Sequence, residues 1–153
     1  MYFEDVPLGN KLTLGDFTFT EENIIAFARQ FDPQPFHIDA EAAKTGPFGG
    51  LIASGWHTAA VWMKLMVAQR REAEARGEEG QENYLSPGNK DLRWHLPVRP
   101  GTTLTYTTEP FNKLDWPTRP DLGLLQSRNE ARDAEDKLFY SFTSQVFIVR
   151  RPK

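Results

Sequence analysis

Asp32 and His37 stand five positions apart in the run FDPQPFHID, with Pro33 and Pro35 between them. A carboxylate and an imidazole fixed near one another can share one water. The free imidazole titrates near about pH 6.5, close to the optimum for moving protons at neutral pH. The acid orients the ring and shifts its titration, so the two groups titrate as a pair. Further on, GPFGGLIASG leads into a long apolar stretch. Ser54 reads as a helix N-cap, which puts Gly55 in the first turn. Backbone N–H groups there have no intrahelical partner and lie at the positive end of the helix dipole. A glycine lets a ligand oxygen approach the main chain closely. Water activation on one side and an oxyanion donor on the other suit addition to, or attack on, an acyl carbonyl system. A plainer reading also stands: Asp32 ends a helix, His37 is a satisfied half-buried histidine, and Gly55 only packs a helix against a strand.

Other chemistries find less support. The chain has no cysteine, which excludes disulfides, thiolate metal sites and a cysteine nucleophile. His37, His57 and His95 show no metal-ligand spacing, so no metal is expected. His57 and His95 read as packing residues. IASGW around Ser54 is not a nucleophile elbow, and no phosphate loop, HExxH or EF-hand run occurs. With 21 acidic against 18 basic residues and a net charge of −3, no basic field recruits nucleic acid.

The elements that must position these residues follow from the pattern. Leu12, Leu14, Phe17 and Phe19 among threonines predict a strand over Lys11–Phe19. Thr20 followed by Glu21 and Glu22 predicts a helix start. Ile24, Phe27, Ala28 and Phe31 then give one apolar face. Pro33 and Pro35 end that helix and place FDPQPFHID on a constrained loop. Leu51–Val67 carries a single charge, Lys64, and predicts a helix buried on every side. From Gln69 to Glu82 the composition turns charged, as in a solvated helix end. The remainder predicts strands over Asp91–Val98, Thr102–Thr108, Leu122–Ala131 and Leu138–Val149. The last two are joined as a hairpin through Asp133–Asp136. An antiparallel sheet curled around one apolar helix, an α+β design, is expected as a single domain over residues 1–153. At 39% hydrophobic and 25% charged, the chain has apolar material enough for its own core. MYFEDVPLGNKL lacks the pattern of a signal peptide, and no apolar run suits a membrane span, so a soluble cytoplasmic protein is expected.

The run FARQFDPQPFHIDAEAAKTGPFGGLIASGWHTAA resembles the active-site segment of the MaoC-like (R)-specific enoyl-CoA hydratases, and LRWHLPVRPGTTL resembles the strand–turn–strand that follows. The family motif is Asp-x-Asn-Pro-aliphatic-His. Asp32, Pro35 and His37 match it, while Gln34 stands for Asn, Phe36 for the aliphatic residue and Phe31 for the preceding glycine. The resemblance implies a hot-dog fold, in which a long central helix is wrapped by an antiparallel sheet. It implies a homodimer, Asp32 and His37 as the water-activating pair, and the Gly55 N–H as oxyanion donor. Phe36, Ser54, Trp56, Met63 and Arg93 become candidate contacts to an acyl-CoA or acyl-carrier thioester, although Trp56, Trp62 and Met63 also fit as core filling. Lys44, Lys90, Arg93, Arg99 and Arg119 are candidate cations for coenzyme A phosphates. No cofactor is implied beyond coenzyme A as part of the substrate. An acyl-CoA thioesterase and a non-catalytic acyl-thioester-binding subunit use similar parts and remain as alternatives.

Overall fold

The computed structural model describes residues 1–78 and 85–152. Threonine, valine and aromatic residues at alternating positions build five strands among them: β1 (Leu12–Phe19), β2 (Gly88–Trp94), β3 (Thr102–Asp115), β4 (Leu122–Arg132) and β5 (Leu138–Val149). They form one antiparallel sheet in the order β1-β3-β4-β5-β2. The β4–β5 hairpin closes where the Asp133 carboxylate accepts from the N–H groups of Glu135 and Lys137. β1 and β2 are the sheet edges.

The sheet curls around α4 (Gly55–Ala75), a helix of 21 residues. Leu104 and Tyr106 of β3 share the inner face and are completely buried with Phe19 and Ile24. The Tyr106 hydroxyl donates to the Thr58 carbonyl at 3.1 Å, which ties the sheet to the first turns of α4, and burial holds the phenol neutral far above the usual tyrosine range. Trp62 packs edge-on against Phe142 of β5, with ring centroids 4.8 Å apart. This is the hot-dog arrangement.

α1 (Glu21–Phe31) starts as the sequence predicts. Thr20 Oγ1 accepts from the Asn23 N–H, and Asn23 Oδ1 accepts from the Thr20 N–H, so two otherwise unpaired donors are satisfied reciprocally. Ile24 and Ala28 bury its apolar face.

Several expectations need correction. The segment after Asp32 is not a loop throughout: Pro35–Ile38 forms a single helical turn, α2, and Ala40–Lys44 forms α3 with Asp39 as its side-chain cap. Proline lacks an N–H, but the first turn of a helix does not use that donor, so Pro35 starts α2 rather than preventing it. The helix starts at Gly55, as the Ser54 cap predicts, so Leu51–Ala53 at the head of the apolar run lie outside it, and it continues past Val67 into the charged run as far as Ala75. Nor is it buried on every side, because Trp56, Met63 and Val67 are exposed. One flank of α4 faces away from the sheet, and no other described element covers it. The charged run from Gln69 is the outer part of this helix as far as Ala75; its residues 79–82 lie outside the described residues. The strand expected over Asp91–Val98 is Gly88–Trp94, followed by irregular chain, and the strand expected to stop at Thr108 continues to Asp115 past a bulge near Phe111.

Candidate active site

Three segments meet at the N-terminus of α4. Asp32 is the C-cap of α1, and its N–H returns to the Ala28 carbonyl. His37 lies on α2, two residues after Pro35, where its N–H bonds the Gln34 carbonyl. The chain from Leu51 to Ser54 then runs alongside α2, with the Ile52 N–H on the Phe36 carbonyl and the Ala53 N–H on the Val98 carbonyl. These backbone bonds carry the Ile52 carbonyl to one side of the imidazole and Ser54 to the Asp32 carboxylate.

The His37 ring is buried. Its Nδ1 lies 2.7 Å from the Ile52 carbonyl oxygen. A carbonyl only accepts, so Nδ1 carries the hydrogen, and this assigns the tautomer from the network. Nε2 therefore faces Asp32 Oδ2, at 3.3 Å. Asp32 is held from both ends: Gln34 Nε2 donates to Oδ1 at 2.7 Å and Ser54 Oγ donates to Oδ2 at 2.7 Å. Burial opposes ionisation of this carboxyl. The hydrogen bonds from Ser54 and Gln34 and the charge of His37 outweigh it, and hold the group below the usual aspartate range. With Asp32 ionised and His37 neutral, Oδ2 and Nε2 both present lone pairs, so a proton on Nε2, or a donor from a third molecule, is what makes their approach favourable.

Ser54 is the N-cap of α4 and accepts from the Trp56 N–H at 3.2 Å, as the sequence predicts. Gly55 is thus the first residue of the helix, where the N–H has no intrahelical acceptor. Trp94 Nε1 donates to the Gly55 carbonyl at 2.9 Å, and its indole ring fills the space that a Cβ on residue 55 would take. No side chain other than a hydrogen fits beneath that ring.

Asp32, His37 and Gly55 all line one cavity of about 510 Å³, and the remaining walls are mostly apolar: Phe36, Phe48, Ile52, Trp56, Leu96, Pro97, Val98 and Phe139. That size and lining suit a small-molecule site with a few convergent polar groups. Of the other sequence candidates, Phe36 and Trp56 are on the wall, and Ser54 sits behind it, acting on Asp32. Met63 and Arg93 are not on it: Met63 is exposed two turns along α4 and Arg93 is on the edge strand β2. Among the candidate phosphate-binding cations, Lys44 pairs with Glu41 at 2.7 Å, Arg119 forks onto Asp121, and Arg99 Nη2 donates to the Phe48 carbonyl. His57 is a packing residue, stacked on Phe27 and edge-on to Phe17 and Phe19, and burial lowers its pKa to about 4. His95, read as packing, instead lines the cavity with its Nε2 2.8 Å from Ser141 Oγ. The Ile52 carbonyl, Gln34 as a clamp, Phe48 and Trp94 were not foreseen. A main-chain acceptor leaves no trace in side-chain types, and Trp94 lies 39 positions from Gly55.

Comparison with known proteins assigns the family. The family profile described as "MaoC like domain" matches residues 6–122. The chain belongs to the MaoC-like family. It is 30% identical over 125 residues to "Uncharacterized protein YdeM" of Bacillus subtilis, covering 82% of each chain. It is 33% identical over 102 residues to "3-hydroxyacyl-thioester dehydratase Z" of Mycobacterium tuberculosis, covering 65% of this chain and 64% of that protein. Among solved structures, the MaoC-like dehydratase from Rhodospirillum rubrum superposes with a TM-score of 0.82 at 33% identity, covering 100% of this chain and 99% of that one. The (R)-hydratase from A. caviae involved in PHA biosynthesis superposes with a TM-score of 0.67 at 21% identity, covering 97% and 99%, a likeness of fold.

Proposed function

We propose that this MaoC-like chain is a hydratase/dehydratase that interconverts trans-2-enoyl and 3-hydroxyacyl thioesters, carried on coenzyme A or an acyl carrier. The observation that carries the reading is the Asp32–His37 pair at 3.3 Å, on the wall of the same apolar cavity as the first residue of α4. Similarity to a 3-hydroxyacyl-thioester dehydratase supports the reaction class. A water that donates to both Oδ2 and Nε2 from beside them supplies the hydrogens that the two acceptor atoms lack. Its oxygen attacks Cβ as its proton passes to the pair. The Gly55 N–H stabilises the negative charge that develops on the thioester oxygen, and the proton returns to Cα on the same face. Phe36 and Trp56 flank the acyl group. Written this way, the reaction needs no metal or cofactor, only water and the thioester.

The active unit is proposed to be a homodimer. Trp56, Met63 and Val67 form an exposed apolar stripe on α4, and Trp94 and Leu96 are exposed beside it along the sheet edge. Trp56, Trp94 and Leu96 also line the cavity, so a second copy seated on this flank closes both the sheet edge and the cavity mouth.

The test separates hydration from hydrolysis. Purified protein is given a short trans-2-enoyl-CoA, and loss of the enoyl-thioester absorbance is followed alongside free thiol. Bleaching without thiol release supports the proposal. Thiol release from saturated acyl-CoA assigns a thioesterase instead, and tight binding without turnover assigns a binding subunit.

A further inference from the structure

The Ser54 hydroxyl has two commitments. Its oxygen accepts the Trp56 N–H at 3.2 Å as the cap of α4, and its hydrogen goes to Asp32 Oδ2 at 2.7 Å. Ser54 is fully buried, so no solvent competes for either bond. One hydroxyl thus fixes the distance between the carboxylate and the helix N-terminus that begins at Gly55. Gln34 fixes the other carboxylate oxygen at 2.7 Å. The imidazole is held separately, through Nδ1 on the Ile52 carbonyl, which leaves Nε2 as its one exchangeable position.

We propose that Ser54, seconded by Gln34, is a positioning residue that keeps Asp32 as a fixed acceptor and leaves the proton transfer to His37 Nε2 alone. The inference rests on the hydratase reading. The water proton passes to Nε2 as the oxygen bonds Cβ. The C=C electron pair moves onto the thioester oxygen, and the Nε2 proton then goes to Cα as the thioester carbonyl re-forms. Asp32 neither gains nor loses a proton; it orients the water and stabilises the imidazolium. Gln34 and Ser54 each place a donor on one carboxylate oxygen, which favours the ionised form and makes Asp32 a poor resting place for the water proton. Consistently, the carboxyl is held below its usual range, with burial opposed by these two donors and by His37. Among the described residues, the other titratable groups around the site include His95, on the cavity wall with Ser141 Oγ, Arg99, on the carbonyl of the wall residue Phe48, and His57, on α4 and enclosed by phenylalanines.

The experiment compares wild type with Ser54→Ala, Ser54→Gly, Ser54→Thr and Gln34→Leu. It records kcat and KM across pH 4–9, and the Asp32 and His37 titrations by carbon-13 and nitrogen-15 NMR without substrate. Glycine retains most of the capping preference and so separates positioning from helix stability. The expected result is a fall in kcat of at least tenfold for Ser54→Ala and Ser54→Gly with KM within twofold. It includes an upward shift of the Asp32 titration, a second ionisation on the acid limb of kcat, and recovery in Ser54→Thr. An Asp32 titration unmoved in Ser54→Gly, or a loss confined to KM, overturns the proposal. Because the NMR titrations need no turnover, they judge it even if wild type hydrates no enoyl thioester, the result that defeats the functional reading instead.

Discussion

Gly55→Ala is the substitution whose consequence the structure specifies most fully. A Cβ there falls 2.6 Å from Trp94 Nε1, 2.8 Å from Cδ2 and closer still to Cε2. Carbon contacts are most favourable at about 3.5–4.0 Å, so the indole must withdraw by about 1 Å. The ring is held by its bond to the Gly55 carbonyl, by edge contact with Trp56 at 5.2 Å and by stacking on Tyr140 at 6.4 Å. It is 45% exposed in the single chain, so within one protomer it can swing outward only at the cost of these contacts and of the proposed dimer face. Overpacking of this kind costs about 1–3 kcal/mol. At about 2–4 °C per kcal/mol for a chain of this size, a mid-range cost of about 2 kcal/mol lowers Tm by about 4–8 °C. Since Trp94 also walls the cavity, hydration activity falls at least about tenfold, a barrier change of about 1.4 kcal/mol. The assay is a double-mutant cycle with Trp94→Ala, read by thermal unfolding. Removing the ring should cut the cost of Gly55→Ala to below about 0.5 kcal/mol, which gives a coupling above about 1 kcal/mol. Equal losses with and without Trp94, or a Gly55→Ala protein as stable as wild type, refute the reasoning.

Asp32→Asn removes the acceptor that orients the water and His37→Gln removes the base, and each should lower turnover by about 10²–10⁴-fold, with far-ultraviolet circular dichroism unchanged. His57 has a folded pKa of about 4 against 6.5 for the free group, so the unfolded chain binds the extra proton in acid. Its contribution is complete above about pH 6.5 and is lost as pH falls toward 4; urea unfolding at pH 5 and pH 7 should differ by about 1–2 kcal/mol after solvent screening, and His57→Leu should remove that part of the difference. Met63→Glu puts a charge on the exposed stripe of α4, outside the cavity wall, and light scattering should report monomers for the variant and, on the proposed homodimer, dimers for wild type. A dimer unchanged by that charge sends the interface elsewhere.

The features legible in the sequence were those set by local chemistry. Thr20 with acids behind it gave the start of α1, the alternation of Leu138–Val149 gave β5 to the residue, and Asp32 and His37 stood out by type and spacing. Where two physical roles share one residue, the reading failed. A proline can end a helix or open one: both Pro33 and Pro35 read as ending α1, whereas Pro35 opens α2. By contrast, the composition change at Gln69 marks the solvated end of the helix that the charge pattern predicts, and α4 continues through it to Ala75. Met63 has the right character for an acyl pocket, but which flank of α4 faces the cavity is decided by packing against the sheet. The support of the site was the least visible part: the Ile52 carbonyl is main chain, and the Ser54–Asp32 and Trp94–Gly55 bonds join residues 22 and 39 positions apart.

A crystal structure of the Asp32→Asn variant with a short trans-2-enoyl-CoA tests the central claim most directly. The thioester oxygen should lie about 2.7–3.1 Å from the Gly55 nitrogen, with Cβ facing a water held at His37 Nε2. An acyl group seated outside the cavity, or a thioester oxygen turned away from Gly55, contradicts it.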